Sequence, residues 1–420
     1  MNILLINHYA GSPEYGMEFR PYHMCKEWVK RGHKTLIVGG SHSHLRKLQP
    51  ISKTETIDGV NYSWVKLNKY KGNGLGRIVS MGMFITKLGM NYKNYLGGFA
   101  PDVVIASSTY PLDIYPARKI AKHFGAKLVY EVHDLWPLAP MEVSGHTLKH
   151  PFFRLIQHAE DYCYRHVDAV VSMLPKAEPH MLDHGLSSGK FYCVPNGIVL
   201  EDWENCRPLK GKHIDAISAL KKDGKFVIGY TGAHGLANSL YAAIDAAIGV
   251  ADENIAFVLV GTGPEKENLK KFAQSKGARN VYFLDPIGKS YIPSLLKSMD
   301  ALYIGLQPQK AFQYGISPNK MFDYMMAEKP IIQAIQAGNN IVEEAHCGIF
   351  TMPNDIPAIR KAMLEIKNME PARREVLGKN GKKFVMEHHT YSVLSETFLS
   401  ILEKINKEHY GKTKISFKRC

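Results

Sequence analysis

Short runs of apolar residues alternate with longer helical patterns along most of this 420-residue chain. In the first half the runs lie at 2–6, 34–38, 102–106, 127–132 and 169–173. Their apolar residues are continuous rather than alternating, which indicates strands buried on both faces of a parallel sheet wrapped by helices. The same rhythm restarts at residue 225, with runs at 225–232, 255–264, 280–288, 301–308 and 330–335. We therefore predict an α/β fold with two doubly wound domains.

The length of the chain agrees with this division, since a domain has roughly 100–200 residues. We predict an N-terminal domain at 1–203, a polar and lysine-rich connection at 204–224, and a second domain at 225–390. The remainder, 391–420, is predicted to form a C-terminal helix at about 392–407, whose apolar side can pack back on the N-terminal domain, and a basic tail. Ligands of open α/β sheets bind beyond the carboxyl ends of the strands, so we expect any chemistry in the loops that follow strands, at a cleft between the domains.

The composition narrows the classes of partner. The chain is 45% hydrophobic and 22% charged, which is typical of a globular protein and excludes a disordered chain. A formal net charge of +14 favours a polyanionic partner, which can be nucleic acid, an anionic membrane surface or a phosphorylated substrate. The six cysteines include no CxxC pair, which favours reduced thiols in a cytosolic chain. No segment approaches the ~18 uninterrupted apolar residues of a membrane span.

The strongest phosphate-binding signal is the segment 315–320, GISPNK, which precedes a helical pattern at 321–327. Ser317 is a favourable N-cap and Pro318 a favourable first helical residue, which leaves free N–H groups and a positive dipole end for an anion. Lys320 falls in the first turn, where a cation is unfavourable unless an anion lies beside it. An exposed lysine on a capped surface helix is an equally open interpretation.

Two glycine-rich loops follow predicted strands of the second domain. The segment 229–235, GYTGAHG, resembles a dinucleotide loop without matching GxGxxG, so alone it is a weak signal. For Gly261 to Pro264 we favour a structural role.

In the first domain, His133 and Asp134 directly follow the apolar run at 127–132. A histidine beside a carboxylate at a strand end suits proton transfer or hydrogen bonding, although a packed histidine and a capping aspartate would give the same pattern. The loop at 10–16 and Arg20 follow the first strand. Arg20 can reach a phosphate with two hydrogen bonds, or it can be a solvent-facing helix residue.

Several motifs are absent from the sequence. It contains no DxD, so a metal-bridged diphosphate site has no obvious ligands. It also contains no HExxH, GxSxG or GxxxxGK[ST], which removes the common zinc protease, serine hydrolase and P-loop interpretations.

Taken together, several motifs resemble those of the family 4 glycosyltransferases, and the match extends over nearly the whole chain. They are the loop at 10–16, RGH at 31–33, EVHDLW at 131–136, VPNGI at 194–198, VGTGP at 260–264 and SPNKMFDYMMAEKP at 317–330. The resemblance is greatest to bacterial members that build O-antigen, capsule and other surface polysaccharides. It implies the GT-B fold, in which two Rossmann-like doubly wound domains face each other across a cleft. It also implies transfer of a hexosyl or N-acetylhexosaminyl group with retained anomeric configuration.

The resemblance further implies a nucleotide-sugar donor, expected to be UDP-linked, held mainly on the second domain with no metal and no cofactor. His133 and Asp134 are then the catalytic candidates. The acidic pair of the family maps onto Gly315 and Asp323, so only its second member is retained. The candidate diphosphate-binding residues are Gly16, Arg20, Gly232, His234, Asn238, Ser317, Asn319 and Lys320, and the candidate nucleoside-binding residues are Gly263, Pro286 and Asp323.

By the same resemblance the acceptor is a polyprenyl-diphosphate-linked saccharide, met by a peripheral protein on the cytoplasmic face of the plasma membrane. Residues 59–101 hold six Lys and Arg and no Asp or Glu, and they include a helical pattern. An apolar stripe at Met81, Ile85, Leu88, Tyr92, Tyr95 and Phe99 favours core packing. Met83, Phe84, Met90 and Leu96 lie off the stripe, where part of the helix can touch anionic lipid.

Two other functions stay open at this point. One is a nucleotide-sugar 2-epimerase of the same fold, which would turn over a UDP-sugar without an acceptor. The other is a non-catalytic polyanion-binding protein, suggested by the net charge. We expect no nucleic-acid partner, because the basic residues are not interleaved with aromatic stacking residues and no nucleic-acid-binding motif is present.

Overall fold

The chain forms two compact units. The computed structural model describes residues 1–16, 19–72 and 74–416, and from residue 408 onward it describes the backbone alone. The first unit consists of Met1–Pro195 together with the chain from Tyr391 onward, and the second is Asn196–Thr390.

The first unit has an eight-stranded sheet in the order β3-β4-β2-β1-β5-β6-β7-β8. Its strands are β1 (Asn2–Ile6), β2 (Lys34–Gly40), β3 (Thr54–Ile57), β4 (Val60–Val65), β5 (Val103–Ala106), β6 (Lys127–Val132), β7 (Ala169–Ser172) and β8 (Phe191–Cys193). Its helices in this part of the chain are α1 (Arg20–Lys30), α2 (Leu75–Leu96), α3 (Ile114–Phe124), α4 (Leu138–Ser144), α5 (Pro151–His166) and α6 (Glu178–Asp183). Neighbouring strands are parallel except for the β3–β4 hairpin.

The second unit has a six-stranded, fully parallel sheet in the order β11-β10-β9-β12-β13-β14. Its strands are β9 (Phe226–Thr231), β10 (Ile255–Val260), β11 (Val281–Leu284), β12 (Ala301–Gly305), β13 (Ile331–Ala334) and β14 (Gly348–Thr351). Its helices are α7 (Leu200–Glu204), α8 (Lys212–Lys222), α9 (Leu240–Ile248), α10 (Lys266–Ser275), α11 (Ile292–Lys297), α12 (Asn319–Met326), α13 (Ile341–Glu344), α14 (Ile356–Asn368) and α15 (Pro371–His388). The predicted pair of doubly wound α/β domains is confirmed.

In each sheet the strand order reverses at one point. In the first unit this point lies between β1 and β5, and in the second between β9 and β12. Crossover connections leave these two strands in opposite directions, so a crevice opens beyond their carboxyl ends, where ligands of doubly wound sheets bind. These two positions are where the candidate site residues are expected.

The boundary between the units differs from the predicted one. It lies between Pro195 and Asn196, so the predicted limit at residue 203 falls inside the second unit. The stretch 204–224 is also not an open connection, because it contains α8. Trp203, Ile217 and Leu220 are buried in the core of the second unit, and it is this apolar burial that joins the stretch to that domain.

The last helix, α16 (Tyr391–Ser416), belongs to the first unit. It packs along α1, and the rings of Phe398 and Trp28 meet edge to face with 5.3 Å between their centroids. Leu394 and Leu402 are buried in the same apolar cluster. The basic side chains Lys412 and Lys414 are not described, and the rest of the predicted tail, with Lys418 and Arg419, lies outside the described residues.

Helix α2 buries a broader face than the predicted stripe. Met81, Leu88 and Tyr92 are buried as expected, but Phe84 and Leu96, which were expected off the stripe, are buried as well. Met90 is 71% exposed. Within the described residues, no helix combines the length and the apolar composition needed to cross a bilayer.

Candidate functional site

In the second unit, the start of α12 lies beside the end of β9. The N–H of Thr231, the last residue of β9, donates to the Tyr324 hydroxyl at 2.8 Å, and this hydroxyl donates to the Thr231 carbonyl at 3.2 Å. Because β9 borders the reversal of the sheet, this contact brings the first turn of α12 to the position where a ligand is expected.

Lys320, in that first turn, has only neutral partners. Its ammonium donates to the Tyr230 hydroxyl at 2.9 Å and to Asn238 Oδ1 at 3.2 Å, and it lies 4.3 Å from the centroid of the Tyr230 ring. Among the described residues no carboxylate pairs with it, and burial lowers the pKa of Lys320 to about 8. A cation that is largely desolvated and lacks a counter-ion is a favourable site for an anionic ligand.

The loop after β9 completes what we call the lysine site, which consists of Tyr230, Gly232, His234, Asn238 and Lys320. Gly232 has a φ of 138°, and a Cβ on it would lie 2.9 Å from the Lys320 Cε. A side chain at this position would displace the end of Lys320 and strain the backbone.

His234 is fully buried, and neither of its ring nitrogens has a partner in the described part of the chain. Burial first, and then the positive charges of Lys266 and Lys320, lower the pKa of His234 to about 4. The ring is therefore neutral at pH 7, with one unused N–H donor and one unused acceptor. Orphaned polar atoms of this kind are costly unless a ligand or water pairs with them.

The start of α12 differs in detail from the prediction. The helix begins at Asn319, which is exposed, and Pro318 occupies the N-cap position with no side chain capping the helix. Ser317 is not the cap, because its hydroxyl accepts from the Asn196 N–H at 2.8 Å and its carbonyl accepts from the Asn196 side chain at 2.9 Å. The first-turn N–H groups are thus left available, as anion binding requires.

The three candidate nucleoside residues lie in separate environments. Gly263 packs against the backbone of His234, where a Cβ would approach the carbonyl oxygen to 2.4 Å, so this glycine serves loop packing. Pro286 is exposed in the loop after β11. Asp323, one turn along α12 from Lys320, accepts a hydrogen bond from the Trp203 side chain, and burial raises its pKa to about 6.

In the first unit, a buried network that we call the Arg20 network joins Arg20, Glu131, Ser107 and His133. Arg20 Nε donates to Glu131 Oε1 at 2.9 Å, and the Ser107 hydroxyl donates to Glu131 Oε2 at 2.6 Å. His133 Nε2 lies 3.1 Å from the Ser107 hydroxyl and 3.4 Å from Glu131 Oε2. Burial opposes ionisation of Glu131, but Arg20, His133 and Ser107 outweigh it and lower its pKa to about 2. Ser107 and His133 directly follow β5 and β6, so the network lies at the carboxyl edge of the sheet.

The structure pairs Arg20 within the protein, so the prediction that Arg20 binds a diphosphate stays a prediction. Arg20 is 5% exposed, and its two terminal nitrogens donate to the carbonyls of Pro195 and Val194 at 2.5 and 2.8 Å. Its charge is neutralised by Glu131, so it acts as a structural tie between α1, β6 and the segment after β8. Gly16 pairs with Ser12 in a tight turn at φ 88°, a conformation that favours glycine.

The two catalytic candidates differ in their surroundings. The side chain of His133 is 8% exposed, and its Nε2 faces Glu131 and Ser107, which fixes the orientation of the ring. Asp134 is exposed, and its Oδ1 accepts from the N–H of Leu135 at 2.9 Å, as a turn-forming aspartate does. The geometry therefore favours His133 over Asp134 as the group that meets a substrate.

Two protein-family models match this chain. The model described as Glycosyltransferase Family 4 matches residues 15–202, and the model described as Glycosyl transferases group 1 matches residues 225–368. The chain belongs to the family 4 glycosyltransferases. The Arg20 network lies within the first matched segment, and the lysine site lies within the second.

A curated relative of this family 4 chain is the putative colanic acid biosynthesis glycosyl transferase WcaI of Escherichia coli (strain K12). The two are 38% identical over 190 residues, which is 44% of this chain and 45% of WcaI. The match thus spans less than half the length of that relative.

Solved structures agree with the GT-B fold. Sucrose-phosphate synthase from Thermosynechococcus elongatus has a TM-score of 0.73 at 14% identity, with 96% of this chain and 99% of that chain covered. HepE from Anabaena, in complex with UDP-glucose, has a TM-score of 0.64 at 14% identity, with coverages of 96% and 100%. At such identities the likeness concerns the fold of the family 4 chain alone.

Sequence reasoning missed several members of these sites. Tyr230 and Tyr324, which hold Lys320 and the start of α12, were not identified as site residues. Glu131 and Ser107 carried a usable signal, because a polar residue at the end of an otherwise apolar parallel strand is expected at the ligand edge.

The prediction that this family 4 chain needs no metal stays a prediction. In the described residues, possible metal-ligand atoms of Glu160, Asp161 and His184 lie within 4.8 Å of one another. Gln157 Nε2 donates to both carboxylates and lies 3.0 Å from His184 Nδ1, so the cluster is held together by its own hydrogen bonds. None of these residues belongs to the lysine site or the Arg20 network.

Proposed function

We propose that this chain is a retaining, metal-independent glycosyltransferase that moves a hexosyl or N-acetylhexosaminyl group from a UDP-sugar to a lipid-linked glycan acceptor. The observation that carries the proposal is Lys320, a desolvated cation without a counter-ion at the start of α12. A nucleoside diphosphate supplies the anion that this position lacks. The 38% identity to WcaI supports a role in the biosynthesis of a bacterial surface polysaccharide.

The lysine site suits stabilisation of a leaving diphosphate. As the bond from the sugar to the diphosphate breaks, negative charge grows on the phosphate oxygens, and donors fixed in advance lower the barrier most effectively. Lys320 offers a full charge, the first turn of α12 offers N–H groups, and His234 offers a neutral N–H. With this charge supplied by the chain itself, the reaction requires no bridging cation.

The Arg20 network suits a positioning task around His133. Glu131 and Ser107 hold His133 Nε2, which leaves the other edge of the ring to contact the donor sugar or its diphosphate. In a front-face displacement the leaving phosphate accepts the proton of the acceptor hydroxyl, so His133 need not act as a base. We propose that Asp323 contacts the ribose of the nucleotide.

Transfer is tested with a panel of UDP-, GDP- and CMP-sugars. We expect one UDP-sugar to raise the melting temperature of the full chain and to be consumed only when a membrane lipid extract is added. The variant His133→Ala should lower kcat by about 100-fold or more, because it removes a group oriented toward the reacting sugar, and should leave UDP affinity within about threefold.

The same assay separates the alternatives. If no nucleotide sugar shifts the melting temperature, the donor assignment is wrong. Conversion of a UDP-sugar without any acceptor would favour the 2-epimerase function instead. His158→Ala, a histidine on α5 that belongs to neither site, is the matched control and should retain full activity.

We further propose that the first unit contacts the cytoplasmic face of an anionic membrane through residues 48–93. Leu48, Leu75, Val79 and Met90 are each more than half exposed, and this segment also carries exposed lysines. Apolar side chains flanked by lysines are typical of a protein that lies on a membrane surface. Co-sedimentation with phosphatidylglycerol vesicles should be detectable at low salt and fall as salt rises, whereas uncharged vesicles should not retain the chain.

A further inference from the structure

A cavity lies in the first unit, between the segment that precedes β3, the end of β4 and α2. Its volume is about 550 Å³, within the range of small-molecule sites. Trp64 and Leu67 form its apolar floor, and Ile51 and Tyr95 extend the apolar lining. The Ile51 side chain is fully exposed, so this lining is open to solvent. None of these residues belongs to the Arg20 network.

The charged residues that line the cavity are all positive. Lys53, Lys66 and Lys69 line the cavity, and none of the described residues that line it is an Asp or Glu. All three lysines are exposed, and in the described part of the chain no carboxylate forms an ion pair with any of them. The ammonium of Lys87 donates to the Lys66 carbonyl at 2.7 Å, which adds a fourth positive charge beside the cavity.

Two side chains next to the cavity have polar atoms without a hydrogen-bond partner, although Arg46 Nη2 donates to the Gly40 carbonyl and His42 Nε2 contacts the Tyr70 carbonyl. The guanidinium of Arg46 lies 4.9 Å from the centroid of the Trp64 ring, and Arg46 is 5% exposed. Its Nε and Nη1 have no hydrogen-bond partner among the described residues, and neither does Nδ1 of His42, which lines the cavity. The buried charge of Arg46 adds positive potential behind the apolar floor, and the Glu55 carboxylate, which accepts from Trp64 Nε1, offsets part of it.

An apolar wall and a set of unpaired cations together select an amphipathic anion. A free inorganic anion would leave the apolar lining in water, and an uncharged lipid would leave the lysines without partners. We propose that this cavity binds the phosphate end of a substrate in which a phosphate or diphosphate is esterified to an apolar chain. The inference rests on the proposed function, because such an ester is the carrier end of a lipid-linked acceptor.

The test uses farnesyl diphosphate as a water-soluble probe and measures its binding to the full chain by titration calorimetry. The variant K53Q/K66Q/K69Q should weaken this binding by about 30-fold, since each exposed charge pair contributes roughly a factor of three. The control variant K122Q/K149Q/K176Q removes three exposed lysines elsewhere in the first unit and should bind as the unchanged chain does. Farnesol and inorganic diphosphate should each bind at least about tenfold more weakly than farnesyl diphosphate.

Several results would overturn the inference. They are equal binding of inorganic diphosphate, equal binding of farnesol, displacement of the probe by UDP, or an equal loss in both triple variants. Loss of phosphatidylglycerol vesicle binding in K53Q/K66Q/K69Q with unchanged farnesyl diphosphate binding would assign the lysines to the membrane surface instead. If the proposed function itself fails, no UDP-sugar will shift the melting temperature. If only this inference fails, UDP-sugar binding will persist without selective farnesyl diphosphate binding.

Discussion

Lys320→Met should lower kcat/KM for the nucleotide-sugar donor by about 100- to 1,000-fold, the effect typical of removing one preorganised donor from a developing anion. The methionine fills a similar volume and removes an ammonium that has only neutral partners. Because loss of a desolvated, unpaired charge does not weaken the fold, we expect the melting temperature without ligand to be unchanged or higher. Initial rates at varied donor concentration and thermal unfolding measure the two effects.

The control is Lys270→Met, which makes the same charge change on the nearby helix α10. Lys270 pairs with Glu267 at 2.8 Å and should change kcat/KM by less than about threefold. The burial-lowered pKa of Lys320, about 8 instead of 10.5, adds a pH test. UDP affinity should fall above pH 8 by about tenfold per unit as Lys320 loses its proton, and Lys320→Arg should abolish this fall. Equal losses in both methionine variants would contradict a local role for Lys320.

Arg20→Ala should lower the free energy of unfolding by about 3–5 kcal/mol, because it leaves the Glu131 carboxylate buried without its charged partner. The double variant Arg20→Met with Glu131→Leu should be less destabilised than Arg20→Met alone, since it removes both buried charges together. Denaturant unfolding of the full chain measures these differences. Lys30→Ala is the control on the same helix, and the pair of its exposed ammonium with Glu27 should contribute about 1 kcal/mol or less.

The pH dependence of the same pair has a defined sign. Since the pKa of Glu131 is lowered to about 2 from 4.5, the stabilisation is fully present above pH 4.5 and is lost as pH falls toward 2. Arg20→Ala should therefore show less acid destabilisation over this window. If Arg20→Ala left the stability intact and lowered UDP affinity instead, the diphosphate role expected from the sequence would be supported.

The sequence predicted the buried strands best. The runs at 2–6 and 127–132 coincide with β1 and β6, because a strand covered by helices on both faces carries few polar residues. The β3–β4 hairpin was missed, since its strands contain polar residues such as Glu55 and Asn61. Its signal was the Asp58-Gly59 pair, whose φ angles of 49° and 81° fit the two-residue turns that match the twist of a hairpin.

The site was predictable where its chemistry is local in sequence. A few neighbouring residues are enough to predict that Lys320 lies at the start of a helix and that Gly232 lies in a loop after a strand. Arg20 and Ser317 were assigned to the ligand because their actual partners are remote. Arg20 pairs with Glu131, 111 residues away, and Ser317 bonds to Asn196, 121 residues away. A local sequence pattern does not show whether a polar side chain bonds to a remote residue of the chain or binds a ligand.

The placement of α16 in the first unit has a consequence for synthesis on the ribosome. The chain leaves the first unit after Pro195 and returns to it at Tyr391, so the second unit is an insertion in the first. Phe398, the partner of Trp28, therefore emerges only after the whole second unit, and the first unit stays incomplete while the second can already fold. We expect the apolar face of α1 to stay exposed in nascent chains throughout this interval and to bind chaperones. A premature stop codon within the second unit should make that exposure permanent.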